Sequence, residues 1–371
     1  MKRPFLEWKW LFALLLFLLL GCSSNDVPVI AHQEIWKVQT GGRMTSSPLL
    51  ADGIVYFGSD DKQFYAVDGN TGEPIWRFAA DDKIRSSPRV SGNNIIFQSH
   101  AGSVYAVDAR TGSLQWTFAT SVRKGEQDEW DYYDSSASVD GEALYIGSAD
   151  SHLYAVRAAT GYKLWSFKAD GPIKSSPVHD ADTVYFGDWS GMLYAVDKKD
   201  GQLRWSYRTP PNGRHVAIQS TPEIHDGVLY AGARNFNFYA FEAKTGKKLW
   251  EQLAPAWVAS PVYRDGTLFV GNSNGDYMSG VDPQSGKEKW KFTTDSNVLA
   301  ASAYEQGTLY FGSGYAYETG NGEANNLYAV DARTGQLEWK LQTGKIQSTP
   351  AIAADIVYYT GFDGALHAIA K

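Results

Sequence analysis

The stretch YAVDARTGSLQW, residues 105–116, recurs in close copies along the chain. It stands as YAVDGNTGEPIW at 65–76, YAVRAATGYKLW at 154–165, YAVDKKDGQLRW at 194–205, YAFEAKTGKKLW at 239–250 and YAVDARTGQLEW at 328–339. A degraded copy, SGVDPQSGKEKW, occupies 279–290. Counting from Trp36, the phased tryptophans are spaced by 40, 40, 49, 40, 45, 40 and 49 residues. A fixed period near forty residues marks a propeller or solenoid array.

Within each period, alternating apolar residues bounded by Gly, Asp and Asn read as short strands joined by hairpins. The first full unit runs MTSSPLL, IVYFGS, QFYAV and EPIWRF. Four antiparallel strands per forty residues make a propeller blade. The chain runs on for 32 residues after Trp339 with IQSTPAI, IVYYTG and ALHAIA, and the strand still needed is available as EIWKV at 34–38. The fold expected is therefore all-β, an eight-bladed β-propeller of four-stranded antiparallel blades whose last blade is closed by the N-terminal strand. Such closure removes the exposed edges an open array would carry.

The recurring residue types have physical reasons. In the Asp-x-x-Thr-Gly turn the aspartate can bond backbone two residues on, and glycine takes positive φ without strain. The tryptophan offers an apolar face to the neighbouring blade and an indole donor to one of its carbonyls. Ser-Ser-Pro and Ser-Thr-Pro triplets at 46–48, 86–88, 175–177 and 348–350 are expected to start the innermost strands, where small side chains suit a crowded centre. No histidine recurs in register with these serines, so none reads as a nucleophile.

Length and composition agree with one repeat array: 371 residues, 43% hydrophobic, 14% aromatic and 36 glycines. The formal charge is −7, and without residues 1–21, which carry Lys2, Arg3, Lys9 and Glu7, it becomes −9. This acidic balance without a basic stripe argues against nucleic acid as a partner. Lys2 and Arg3 precede an apolar run from 10 to 20, short for a membrane span but suited to a signal-peptide core. The run meets Leu19-Leu20-Gly21-Cys22, which resembles the bacterial lipobox, and Cys22 is the chain's single cysteine. Residues 1–21 thus read as a lipoprotein signal peptide, 22–33 as a lipidated tether and 34–371 as the propeller. With Ser23 after the cysteine, the resemblance implies a lipid anchor in the outer membrane, facing the periplasm.

The Ala-x-Asp-x-x-Thr-Gly-x-x-x-Trp signature resembles the repeat of the pyrroloquinoline quinone (PQQ)-type eight-bladed propellers across 34–371. That superfamily includes the quinoprotein alcohol dehydrogenases and the BamB lipoproteins of the outer-membrane β-barrel assembly machinery. The adjacent cysteines and Cys-x-x-Cys-His haem sites of many such dehydrogenases are excluded by the lone Cys22. The seven histidines show no metal-ligand spacing, and there is no phosphate loop, GxSxG elbow or zinc motif. The resemblance implies a non-catalytic scaffold without cofactor or metal, whose partners are outer-membrane assembly proteins or another periplasmic protein. A PQQ-dependent or PQQ-derived dehydrogenase and a glycan or peptide recognition module are the alternatives. In the assembly lipoproteins acidic residues precede a Thr-Thr-Pro triplet in a central blade, whereas HVAIQSTP at 215–222 has Ala217 and Gln219 at those places.

Loop lengths select a face. The insertions behind the 49, 45 and 49 spacings, 120–134, 209–218 and 313–326, all fall in connections from the second to the third strand or from one blade to the next. These share one face, and a rigid scaffold elaborated on one face presents a binding surface there. Trp130, Trp189 and Trp257, the tryptophans outside both the repeat phase and the signal, lie in or beside these connections. With Tyr132, Tyr133, Tyr315, Tyr317, Arg208, Arg214 and Arg234 they form the candidate partner-binding set, since aromatic residues and arginine are enriched at interfaces.

Overall fold

Period-two apolar runs and Gly- or Asp-containing turns give strands throughout, and the described residues contain no helix. The computed structural model describes residues 32–122, 134–213, 216–254, 258–272, 275–314 and 325–371. They form eight four-stranded antiparallel sheets, the blades of a propeller. From the channel outward the strands are termed A to D. In blade 1 these are Leu49–Ala51, Ile54–Gly58, Gln63–Asp68 and Pro74–Ala79. Blade 8 comprises Ala351–Ala353, Ile356–Thr360 and Ala365–Ala370, with Glu34–Gln39 as its strand D. Trp36 lies opposite Ala368 and Val38 opposite Leu366, so the N-terminal strand closes the ring.

The core lies between blades, where each strand pair buries residues of both faces. Phe64 of blade 1 stacks on Phe97 of blade 2, centroids 4.0 Å apart. At the outer edge, Trp76 Nε1 donates to Ala109 O at 2.9 Å, and Trp116 to Ala158 O at 2.9 Å. Trp165, Trp205, Trp250 and Trp290 repeat the bond to the next blade. The glycine of the receiving turn lies flat under the indole: a Cβ on Gly161 (φ +73°) would come within 2.7 Å of Trp116 Cε3. Asp68 Oδ1 accepts from the Asn70 and Thr71 amides, both at 2.9 Å, and these bonds hold its carboxyl below the usual carboxylate range.

Strand A is shorter than the sequence suggests, two or three residues instead of a run beginning at the serines. The Ser-Ser-Pro triplets precede it, because proline has no amide for the ladder and the hydroxyls take over its bonding. The first serine bridges to strand B: Ser86 Oγ donates to Gln98 O and accepts from Gln98 N, both at 2.8 Å. The second links blade to blade. Ser87 Oγ accepts from Ser47 N at 3.1 Å, Ser136 Oγ from Ser87 N at 2.8 Å, and Ser176 Oγ from Ser136 N at 2.9 Å. Thr349 N to Ser47 Oγ, at 3.0 Å, carries the ring across the closure.

Candidate functional site at the channel mouth

The residue before each triplet is delivered by the blade-to-blade connection, and it therefore emerges on the elaborated face around the central channel. Arg85, Lys174, Gln219 and Gln347 occupy this position, with Asp134 at the same place before Ser135-Ser136-Ala137, and they line a cavity of about 600 Å³. The triplets and innermost strands line it further, and connections from strand B to strand C add Trp189 and Arg234.

Charge is concentrated and held in place there. Arg85 is buried and bidentate to Asp60, with Nε to Oδ1 and Nη2 to Oδ2 both 2.9 Å, a geometry that fixes a guanidinium strongly. Asp134 is 3.1 Å from His100 Nδ1. Lys174, only 7% exposed, holds Nζ 4.7 Å from the Trp189 ring centre, and the Arg234 guanidinium lies 5.5 Å from the same ring. Two cations thus lie over one indole, each attracted to its π face. Trp189 Nε1 is buried without an acceptor among the described residues. Gln347, 3% exposed, likewise has both amide atoms without a partner there.

Of the candidates read from sequence, three lie among the described residues, and they converge at blades 4 and 5. Arg234 covers Trp189, and Arg208, on strand D of blade 4, donates to Ser190 O at 3.3 Å and to Asp170 Oδ2 at 2.8 Å. The Arg208–Asp170 pair is exposed, so it steadies the rim while adding little stability. Cys22, Trp130, Tyr132, Tyr133, Arg214, Trp257, Tyr315 and Tyr317 lie outside the described residues. Sequence reading missed Arg85, Lys174 and Gln347. Their signal was present, as the residue preceding each Ser-Ser-Pro or Ser-Thr-Pro triplet, but only the propeller geometry turns that phase into a ring.

The family model described as outer membrane protein assembly factor BamB matches residues 29–130, 102–255 and 234–371. Among curated proteins the chain is similar to the tetrathionate hydrolase of Acidithiobacillus ferrooxidans, 26% identical over 169 residues, covering 36% of this chain and 30% of that one. It is also similar to the outer membrane protein assembly factor BamB of Moranella endobia, 28% identical over 155 residues, covering 38% of each. These matches thus span about a third of the curated relatives' lengths. Among solved structures, BamB from Moraxella catarrhalis superposes with a TM-score of 0.71 at 16% identity, over 92% of this chain and all of that one, which speaks for the fold. With the repeat, the eight closed blades and the family match running from 29 to 371, the chain belongs to the family of the outer membrane protein assembly factor BamB.

Proposed function

We propose that this protein is a non-catalytic scaffold lipoprotein that faces the periplasm and binds other proteins during outer-membrane protein assembly. The observation that carries the reading is the channel mouth, where Trp189 lies beneath Lys174 and Arg234 on the face bearing every long insertion. An aromatic anchor flanked by cations suits an acidic, aromatic-tolerant protein surface. In this reading residues 1–21 direct export, Cys22 carries the lipid, and 22–33 tether the propeller to the outer membrane. Trp130, Tyr132, Tyr133, Arg214, Trp257, Tyr315 and Tyr317 extend the same surface.

Photocrosslinking in intact envelopes tests it. A crosslinker replacing Arg208 is expected to capture an outer-membrane assembly protein, while one replacing Tyr162, in a strand C to D turn on the opposite face, is not; equal capture from both sinks the reading. In the same cells Cys22→Ala is expected to move the protein to the soluble fraction, since one lipidated cysteine is the proposed anchor. Retention in the membrane would refute that anchor.

A quinoprotein dehydrogenase is the second reading, favoured by the cavity of about 600 Å³ with an indole and basic groups in its wall. Titration of the 23–371 chain with PQQ and calcium separates the two. The scaffold reading expects no binding, and tight one-to-one binding would replace it with the dehydrogenase.

A further inference from the structure

At most blade junctions an aromatic pair joins strand D of one blade to strand C of the next. Phe78–Tyr105, Phe118–Tyr154, Phe167–Tyr194, Tyr207–Tyr239 and Phe292–Tyr328 meet edge-on with centroids 5.3, 5.2, 5.3, 5.9 and 5.4 Å apart. In sequence phase the closing junctions keep one ring each, as Val38–Tyr65 and Leu341–His367. The junction between blades 5 and 6 keeps neither, because Gln252 and Ser279 stand at those two positions. Both replacements stand on the wall of the gap with their polar groups already bonded. Gln252 Nε2 donates to Ser285 O at 3.0 Å, and Ser279 Oγ donates to Glu288 Oε2 at 2.9 Å.

A cavity of about 290 Å³ opens there, walled by Phe238, Val270 and Tyr277 and by the polar Ser279, Lys287 and Glu288. An apolar cavity of about 150 Å³ already accepts benzene in another protein. This one also has a polar end. In blade 4, Tyr194 donates its hydroxyl to Asp188, 3.1 Å away, immediately after Gly187. The corresponding residue of blade 6, after Gly271, is Asn272. It lines the cavity and is 2% exposed, and its Oδ1 has no partner among the described residues. An unpaired buried acceptor is costly, and its counterpart Asp188 accepts from the Tyr194 phenol as well as from the Gly171, Ser190 and Met192 amides. On the rim stands Leu253, 79% exposed, the largest exposure among the apolar side chains of the described surface.

We infer that the gap between blades 5 and 6 is a docking pocket for a tyrosine side chain of a bound protein. The ring would fill the space of the missing pair, its hydroxyl would donate to Asn272 Oδ1, and Leu253 would be covered by the flanking backbone. The occupant is argued from the molecule itself, since five sister junctions hold a tyrosine in this place. The inference rests on the scaffold reading for its partner, but the pocket can be tested alone.

p-Cresol, the tyrosine side chain as a free molecule, is the probe, with toluene as the ring without the hydroxyl. On the 23–371 chain p-cresol is expected to bind saturably and raise the melting temperature, and toluene to bind more weakly. Ser279→Tyr fills the pocket and is expected to weaken p-cresol at least tenfold while the fold melts no lower. Asn272→Leu, which removes the side-chain amide at similar size, is expected to abolish the preference for p-cresol over toluene. Absence of binding, binding untouched by Ser279→Tyr, or equal affinity for both probes would each overturn the proposal. So would binding that appears only in Trp257→Ala, which would make the chain's own tryptophan the occupant. In envelopes, Ser279→Tyr is expected to abolish capture by a crosslinker at Leu253 while sparing capture at Arg208. Loss of Arg208 capture in the unsubstituted pocket background would instead count against the scaffold reading.

Discussion

Replacing Trp116 with alanine is expected to destabilise the propeller by about 3 to 5 kcal/mol, as for other large buried aromatics. The indole is 8% exposed and packs among Ile96, Leu144 and Tyr154, bridging blades 2 and 3. Its loss empties that space and also leaves the Ala158 carbonyl without its donor, 2.9 Å away. The flat glycine beneath it cannot rebuild the contact, because Gly161 has no side chain to move into the void. Thermal and urea melts of the variant and the parent chain measure the effect. A midpoint within a degree of the parent's would show that the tryptophan is decoration and that the blades cohere without it.

The second large effect concerns closure. Deleting 32–39 is expected to prevent the chain from folding to a stable ring, because it removes strand D of blade 8 and exposes the edge of Ala365–Ala370. It also removes Trp36, which covers Gly72 of blade 1, and His32, whose ring lies 4.0 Å from that of Trp339. A deleted chain that stays monomeric and melts with the parent would refute velcro closure. The closure has its own pH signature through His367, which bonds Glu34 at 2.7 Å through Nδ1 and Asp363 at 2.9 Å through Nε2. Burial alone would lower its pKa, but the bonds to Asp363 and Glu34 outweigh that and raise it above the ordinary value. A raised folded pKa means that the stabilisation is complete below about pH 6.5, the unfolded value, and is lost as pH rises through the folded value. The melting temperature is therefore expected to fall across that window, and His367→Gln to flatten the fall. An unchanged slope in His367→Gln would assign the pH dependence elsewhere.

The forty-residue period, the Asp-x-x-Thr-Gly turns and the phased tryptophans could be read directly because each is a local requirement repeated many times. Positive φ at the turn glycine, a carboxylate bonded two residues on, and period-two burial depend on neighbours a few residues apart. The eighth blade could be read as well, since three strands without a fourth left EIWKV as the available partner. The bonding of the Ser-Ser-Pro triplets was not legible, because Ser47 meets Ser87 and Thr349 meets Ser47 only once the ring has closed.

The candidate site divides the same way. Trp189, Arg208 and Arg234 stood out by sequence, as an out-of-phase aromatic and arginines in elaborated connections. That Trp189 and Arg234 meet, and that Lys174 joins them, follows from neighbouring blades converging on one channel. The degraded repeat at 279–290 was visible as a lapse, but its meaning was not. Ser279 becomes a pocket only because Gln252, on the preceding blade, fails at the matching place and Asn272 waits at the end of the gap. Sequence alone determined the blade, its count and its closure, because strand pattern and turn chemistry act over short range. Only the tertiary structure decided which side chains share a cavity, because that depends on side chains from separate blades being brought within a few ångströms of each other.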